Sequence, residues 1–212
     1  MDDLVKLGIK PNNIKLIHLG INRDLFYRNK KTEYPSIVYF GGMRPYKRPE
    51  EAVYLIDALV KRVDNIHLSI VGDGVEKGKL ESIVRMLNLS SHVTFTVRLS
   101  DKDLAITVSK AWFNVHTSVT EGRGISIIEA AAAGTPTVAY DVPGVSESVE
   151  DGLNGLKVKE GDRSALRNAA IEILKNHLTW SRSSLEVSKK YSWDKAAELW
   201  ENLIADSVVM RK

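Results

Sequence analysis

Short apolar runs alternate with amphipathic stretches along most of the chain. The runs at 13–19 (NIKLIHL), 36–42 (SIVYFGG), 65–72 (NIHLSIVG), 92–97 (HVTFTV), 112–118 (WFNVHTS), 136–140 (PTVAY) and 154–158 (NGLKV) have the length and near-continuous apolarity of buried strands. Helix-period stretches lie between them at 49–63, 76–88, 101–110, 124–133 and, briefly, 144–150, and a helical tail runs from 162 to 208. Strand and helix in alternation, joined by short loops, predict an α/β fold: a doubly wound parallel sheet of Rossmann-like type with a helical C-terminal tail. Such sheets bind ligands at the carboxyl ends of their strands. The turns expected there, GGMRPYK (41–47), GDGVEKGK (72–79), VRLSDKD (97–103) and SVTEGRG (118–124), are small, polar or charged.

Composition narrows the chemistry. With 212 residues and 43% hydrophobic content the chain can bury one sizeable core. No apolar run is long enough to span a bilayer, and the acidic start MDDLVKLG is unlike a secretory leader, which predicts a cytoplasmic protein. The absence of cysteine excludes a disulfide scaffold, a thiol nucleophile and a thiolate metal site, so no metal is expected. A net charge of +3 suits anionic ligands and is too weak to predict nucleic acid as a partner.

The most informative stretch is EGRGISIIEAAAAGTP (121–136). Gly122 and Gly124 permit a tight turn, and a helix starting near Gly124 would leave its first N–H groups free for an anion such as a phosphate. Glu129, about one turn into that helix, is placed to accept from a ribose diol, while Glu121 stands on the other side of the phosphate position. Ala130 to Ala133 would let the helix pack closely on the sheet, and Gly134 and Pro136 end it. The competing reading is two solvated glutamates in an ordinary turn and helix.

These residues resemble the donor-binding half of GT-B fold, family 4 type retaining glycosyltransferases. The resemblance rests on two glutamates flanking seven residues (Glu121, Glu129) followed by AAAAGTPTVA, and extends to IHLGINRDLF (17–26), IVGDG (70–74) with KLE (79–81), GVSESVEDGLNGLKV (144–158) and YSWDKAAELW (191–200). It implies a nucleotide-diphospho-sugar donor, GDP-, UDP- or ADP-linked, with no other cofactor, and transfer of a hexose of mannose or glucose type. By resemblance Glu121 contacts the transferred sugar, the backbone of Gly122, Arg123, Gly124 and Ile125 holds the distal phosphate, and Glu129 binds the ribose. Lys47 corresponds to the lysine that neutralises the leaving diphosphate. Gly41, Gly42, Gly72, Arg98 and Leu99 fall in turns that border the donor.

The resemblance further implies that 1–30 is an interdomain segment ending an N-terminal acceptor domain, 31–190 the nucleotide-sugar domain and 191–212 a closing crossover helix. It leaves room for peripheral membrane association of the full-length enzyme and for self-association through the terminal helix, whose Trp193 to Val209 stripe is expected to be partly exposed. The chain alone is expected to bind rather than to transfer. Three departures bear on the donor. Gly42 stands where the family has arginine, so either Arg44 reaches the phosphates from two residues on or the site is weakened; its five-donor side chain favours Arg44. Arg123 replaces an aromatic residue, and Val97-Arg98 replaces a glycine-aromatic pair. His116, ending a strand before the motif, is a donor-site candidate or a structural strand-end residue. His18 reads as a packing or hinge residue, and His67, His92 and His177 read as surface or strand flank. A stand-alone nucleotide-binding or regulatory module is the alternative function, and a nucleotide-sugar epimerase is disfavoured by the motif.

Overall fold

A computed structural model describes residues 2–209. In chain order the elements are α1 (Asp2–Lys6), β1 (Ser36–Phe40), α2 (Glu50–Val60), β2 (His67–Val71), α3 (Lys77–Met86), β3 (Val93–Thr96), α4 (Asp101–Lys110), β4 (Phe113–His116), α5 (Ile125–Ala132), β5 (Thr137–Tyr140), β6 (Gly155–Val158), α6 (Arg163–Lys175), α7 (His177–Ser188) and α8 (Trp193–Val209). Single 3-10 turns occupy Pro11–Asn13 and Pro45–Lys47. The chain divides into two compact units, one of Arg23–Lys189 and one in which the first 22 residues join the segment from Lys190 onward.

In the larger unit the six strands form one sheet in the order β3-β2-β1-β4-β5-β6, and every pair is parallel. The order reverses between β1 and β4, which makes that junction the topological switch point. Burial along the strands follows position in the sheet. All residues of β1, β4 and β5 are buried, as covered central strands require, whereas only the first residue of the edge strands β3 and β6 is fully buried. Ile37, Leu68, Ile70, Phe113 and Val138 from the strands meet Ile56 and Leu59 of α2, Leu80 of α3, Ile127 of α5 and Ile173 of α6 in one core. Each such side chain removed from water contributes about 1.5–3 kcal/mol. Ala130 to Ala133 are buried, and α5 packs on α7 as well as on β4 and β5. The small Ser181, Ser184 and Ser188 of α7, all fully buried, match the small residues of α5.

Two expected elements are absent. No strand forms over 13–19: the stretch is extended and Leu16 and Leu19 are exposed, because within its unit no strand runs beside it. Two residues beyond it, an isolated bridge joins Ile21 to Ser192. The expected helix at 144–150 is a run of turns. The side chain of Asn154, wholly buried, accepts from Glu150 N–H at 2.7 Å and donates to Ser148 O at 2.9 Å, which bends the backbone out of helical register. The helical tail is three helices, with α8 in the smaller unit, where Trp193, Trp200 and Ile204 are exposed. Side chains beyond residue 206, and positions 210–212 of the expected closing helix, lie outside the described residues.

Candidate donor site at the sheet switch point

The carboxyl ends of β1, β2 and β4 open into a cleft of about 730 Å³. Its first wall is built from glycine turns. Gly41 and Gly42 follow β1, Gly72 follows β2, and all three line the cleft. Gly72 has φ of 138°, and a Cβ there would collide with the Gly41 carbonyl, so neither side chain nor ordinary backbone angles are tolerated. The second wall comes from the turn after β3 and the start of α4, where Arg98, Leu99, Asp101 and Leu104 border the cavity.

The third wall is the 121–129 segment. Glu121, Gly122, Arg123, Gly124, Ile125 and Glu129 all line the cleft, joined by Ser126. Gly124, left-handed at φ 63°, caps α5, and no side chain bonds the helix start. Among the described residues, the N–H groups of Gly122, Gly124, Ile125 and Ser126 donate to no acceptor. Together with the positive end of the helix dipole they form a concentrated set of donors for an anion.

The two glutamates sit in opposite electrostatic settings. Glu121 Oε1 accepts from Lys47 Nζ at 2.7 Å and from Ser118 Oγ at 2.8 Å. His116 Nε2 stands 3.2 Å from the same oxygen, without hydrogen-bond alignment. Burial pulls the Glu121 carboxyl up, but His116, Lys47 and Ser118 together outweigh it and hold the group down at about 2. Glu121 is therefore an anion at any ordinary pH, with its cation already beside it. Burial, and secondarily Asp101, push Glu129 up instead. Nothing among the described residues donates to its carboxylate, which leaves its acceptor capacity for a ligand.

The remaining expected residues fall outside the cleft lining. His116 is buried against Glu121. Arg44 is exposed, its Nε 3.6 Å from where a Cβ on Gly42 would stand. Of the other histidines, His177 stacks on Trp112 at 3.5 Å between ring centres, His92 Nδ1 is 2.9 Å from Ile66 O, and His67 Nε2 is 2.8 Å from Thr94 Oγ1. His18 meets the Tyr191 ring edge-on at 6.3 Å. Three residues that support Glu121 are not among those expected from sequence: Ser118, Pro143 and Gly144. Glu121 N–H donates to Pro143 O at 3.2 Å, and a Cβ on Gly144, which has φ of 82°, would collide with the Glu121 carbonyl. Only the glycine itself could have signalled this, and its neighbours read as helix. No group of three or more His, Asp or Glu among the described residues is arranged to hold a metal ion, and none of the described helices is long and apolar enough to cross a membrane.

Residues 21–200 match the family described as Glycosyl transferases group 1. An uncharacterized glycosyltransferase of Methanocaldococcus jannaschii is 32% identical over 187 residues, spanning 87% of this chain and 51% of that protein. The poly(glycerol-phosphate) alpha-glucosyltransferase of Bacillus subtilis is 27% identical over 187 residues, covering 86% of this chain and 28% of that one. Among solved structures, sucrose-phosphate synthase from Thermosynechococcus elongatus superposes with a TM-score of 0.83 at 27% identity, over 92% of this chain and 53% of that one. The chain spans about half the length of the first curated relatives it matches, 51% and 56%.

Proposed function

Because the chain belongs to the group 1 glycosyltransferases, we propose that it is the C-terminal, donor-binding half of a family 4 type retaining enzyme. It holds a nucleotide-diphospho-sugar, and in the whole protein it supports transfer of a hexose of mannose or glucose type. The observation that carries this reading is the set of unpartnered N–H groups at the start of α5, standing between the Lys47–Glu121 pair on one side and the unpartnered Glu129 carboxylate on the other. A diphosphate needs donors and a cation, and a ribose diol needs an acceptor. All three line the same cleft.

In this reading the distal phosphate lies on the amides of 122–126, and charge that develops on it as the sugar departs is stabilised by donors already oriented. Lys47 adds a full positive charge. Its pairing with Glu121 keeps the ammonium in place before the donor arrives, so little reorganisation is left for the reaction. Glu129 accepts from the ribose, and Glu121, permanently ionised, faces the sugar. Arg98 and Leu99 border the end of the cleft assigned to the base. Arg44 can swing toward the phosphates from the surface, in place of the arginine that Gly42 lacks. The acceptor site belongs to a preceding N-terminal domain, with 1–30 as the interdomain segment, 31–190 as the nucleotide-sugar domain and 191–212 as the closing helix.

Calorimetric titration of the chain with GDP, UDP and ADP tests the proposal. Saturable binding of one of them, weakened at least tenfold by Lys47→Ala and by Glu129→Ala, is the expected result. Binding of none by the full-length protein, or binding indifferent to both substitutions, would remove the basis for the assignment.

A further inference from the structure

The turn that carries Lys47 is closed by two bonds of its own, Lys47 N–H to Arg44 O at 2.9 Å and Arg48 N–H to Pro45 O at 3.1 Å, and it exits through a left-handed residue. Pro45–Lys47 make a single 3-10 turn, and Arg48, which closes it, is left-handed at φ 43° and ψ 52°, an unfavourable conformation for a residue with a Cβ. Compensation comes from the other side of the switch point. Val119 N–H donates to Tyr46 O at 2.8 Å. The hydroxyl of Thr117, a residue with no exposed surface, faces the carbonyl oxygens of Lys47 at 3.1 Å and Arg48 at 2.9 Å and shares its one proton between them. Two residues beyond Val119 comes Glu121, whose Oε1 takes the Lys47 ammonium at 2.7 Å. The segment 117–121 therefore grips Lys47 twice, by its backbone carbonyl and by its side-chain tip. The Arg48 side chain is engaged elsewhere, on Glu160 at 2.9 Å; its carbonyl also accepts from Glu51 N–H at 3.0 Å, whereas the Lys47 carbonyl is served by Thr117.

We infer that Thr117 is a positioning residue for Lys47: its hydroxyl, by holding the Lys47 and Arg48 carbonyls, fixes where the ammonium stands relative to Glu121 and to the amides at the start of α5. The consequence for ligand rests on the donor-site reading above; the hold on Lys47 does not. Without the hydroxyl the part-buried Lys47 carbonyl loses its donor and the Arg48 carbonyl keeps only Glu51 N–H, so the left-handed turn has less to keep it there. The turn then relaxes, and the ammonium moves with it.

The test compares Thr117→Val, which keeps the shape and loses the hydroxyl, with Thr117→Ser, which keeps the hydroxyl. A carboxyl carbon-13 NMR titration of the ligand-free chain reads the Lys47–Glu121 contact directly. The Glu121 carboxyl, at about 2 in the parent, is expected to rise toward the ordinary range in Thr117→Val and to stay low in Thr117→Ser. The second readout is calorimetric, with the nucleoside diphosphate that the chain binds and with the matching nucleoside. Thr117→Val is expected to lose about tenfold in affinity for the diphosphate and none for the nucleoside, a loss that disappears when Lys47 is already alanine. Should Thr117→Val fail to fold, Thr117→Cys, with its weak thiol donor, replaces it in both assays. An unchanged Glu121 titration in the hydroxyl-free variant overturns the inference, as does equal loss for diphosphate and nucleoside. If the parent binds no nucleotide, the donor reading fails, and the carboxyl titration still decides what Thr117 does.

Discussion

Glu121→Gln is the substitution whose effect on stability follows most directly from the geometry. A carboxyl that moves from 4.5 in the unfolded chain to about 2 in the fold stabilises the fold by roughly 3 kcal/mol once both states are ionised. The sign is fixed by the depression. The contribution is fully present above pH 4.5 and is lost as pH falls through the folded value. About 2 kcal/mol of it disappears between pH 5 and pH 3, with most of the loss below pH 4.5. Some 13% of the Glu121 side chain and 20% of Lys47 remain open to water, so screening makes this an upper bound. The assay is urea denaturation of the parent and of Glu121→Gln at several pH values between 3 and 7. The variant is expected to be the less stable at pH 7, with the gap narrowing by about 1–2 kcal/mol toward pH 3. Other carboxylates, Glu51 among them, titrate in both proteins and cancel in the difference. A gap that stays constant from pH 5 to pH 3 would refute the claim that Lys47, His116 and Ser118 hold this carboxyl down.

Other outcomes follow from the same contacts. Glu129 is pushed up by burial and by Asp101, so nucleoside diphosphate affinity should fall as pH drops into its titration range. The part of that dependence due to Glu129, beyond the titration of the ligand's own terminal phosphate, should be absent in Glu129→Gln, as isothermal titration of both proteins over the same pH series would show. Gly144→Ala forces a side chain onto the Glu121 carbonyl at a positive φ and should destabilise by more than about 1 kcal/mol, with nucleotide affinity reduced further because Glu121 is displaced; thermal unfolding and calorimetry read the two effects. Lys31, buried with its Nζ on Ala111 O at 2.7 Å and Thr135 Oγ1 at 2.8 Å, is pushed down to about 7, by burial first and by Arg28 second. The unfolded chain therefore binds the extra proton between pH 7 and 10.5, and stability should rise with pH across that window. Lys31→Met should flatten the rise in denaturation experiments.

What was legible in the sequence depended on local information. β1, β4 and β5 are central strands covered on both faces, so their runs are short and mostly apolar, with Asn114 and His116 of β4 among the exceptions, and their positions could be read directly. The 121–129 segment was legible because a glycine turn, a helix start and two carboxylates all lie within one short stretch. The run 13–19 carries the same apolar signal as a true strand, but a strand also needs a neighbour, and a single run does not reveal one. At 144–150 the helical pattern is real on paper and is overridden by one buried asparagine and by Gly144, whose φ of 82° answers to Glu121 on a different loop. Thr117 escaped notice for the same reason: its hydroxyl serves carbonyls 69 and 70 residues away. The walls contributed by Asp73, Asp101 and Leu104 become visible only when the sheet brings three turns together.

The central claim is that the start of α5 holds a diphosphate between Glu121 and Glu129. Amide nitrogen-15 NMR of the chain, titrated with the nucleoside diphosphate that binds it, observes the donors themselves. The account predicts saturable downfield proton shifts at Gly122, Gly124, Ile125 and Ser126, absent when the nucleoside without phosphates is used. Saturable binding that leaves these four amides unmoved would place the phosphates elsewhere and contradict it.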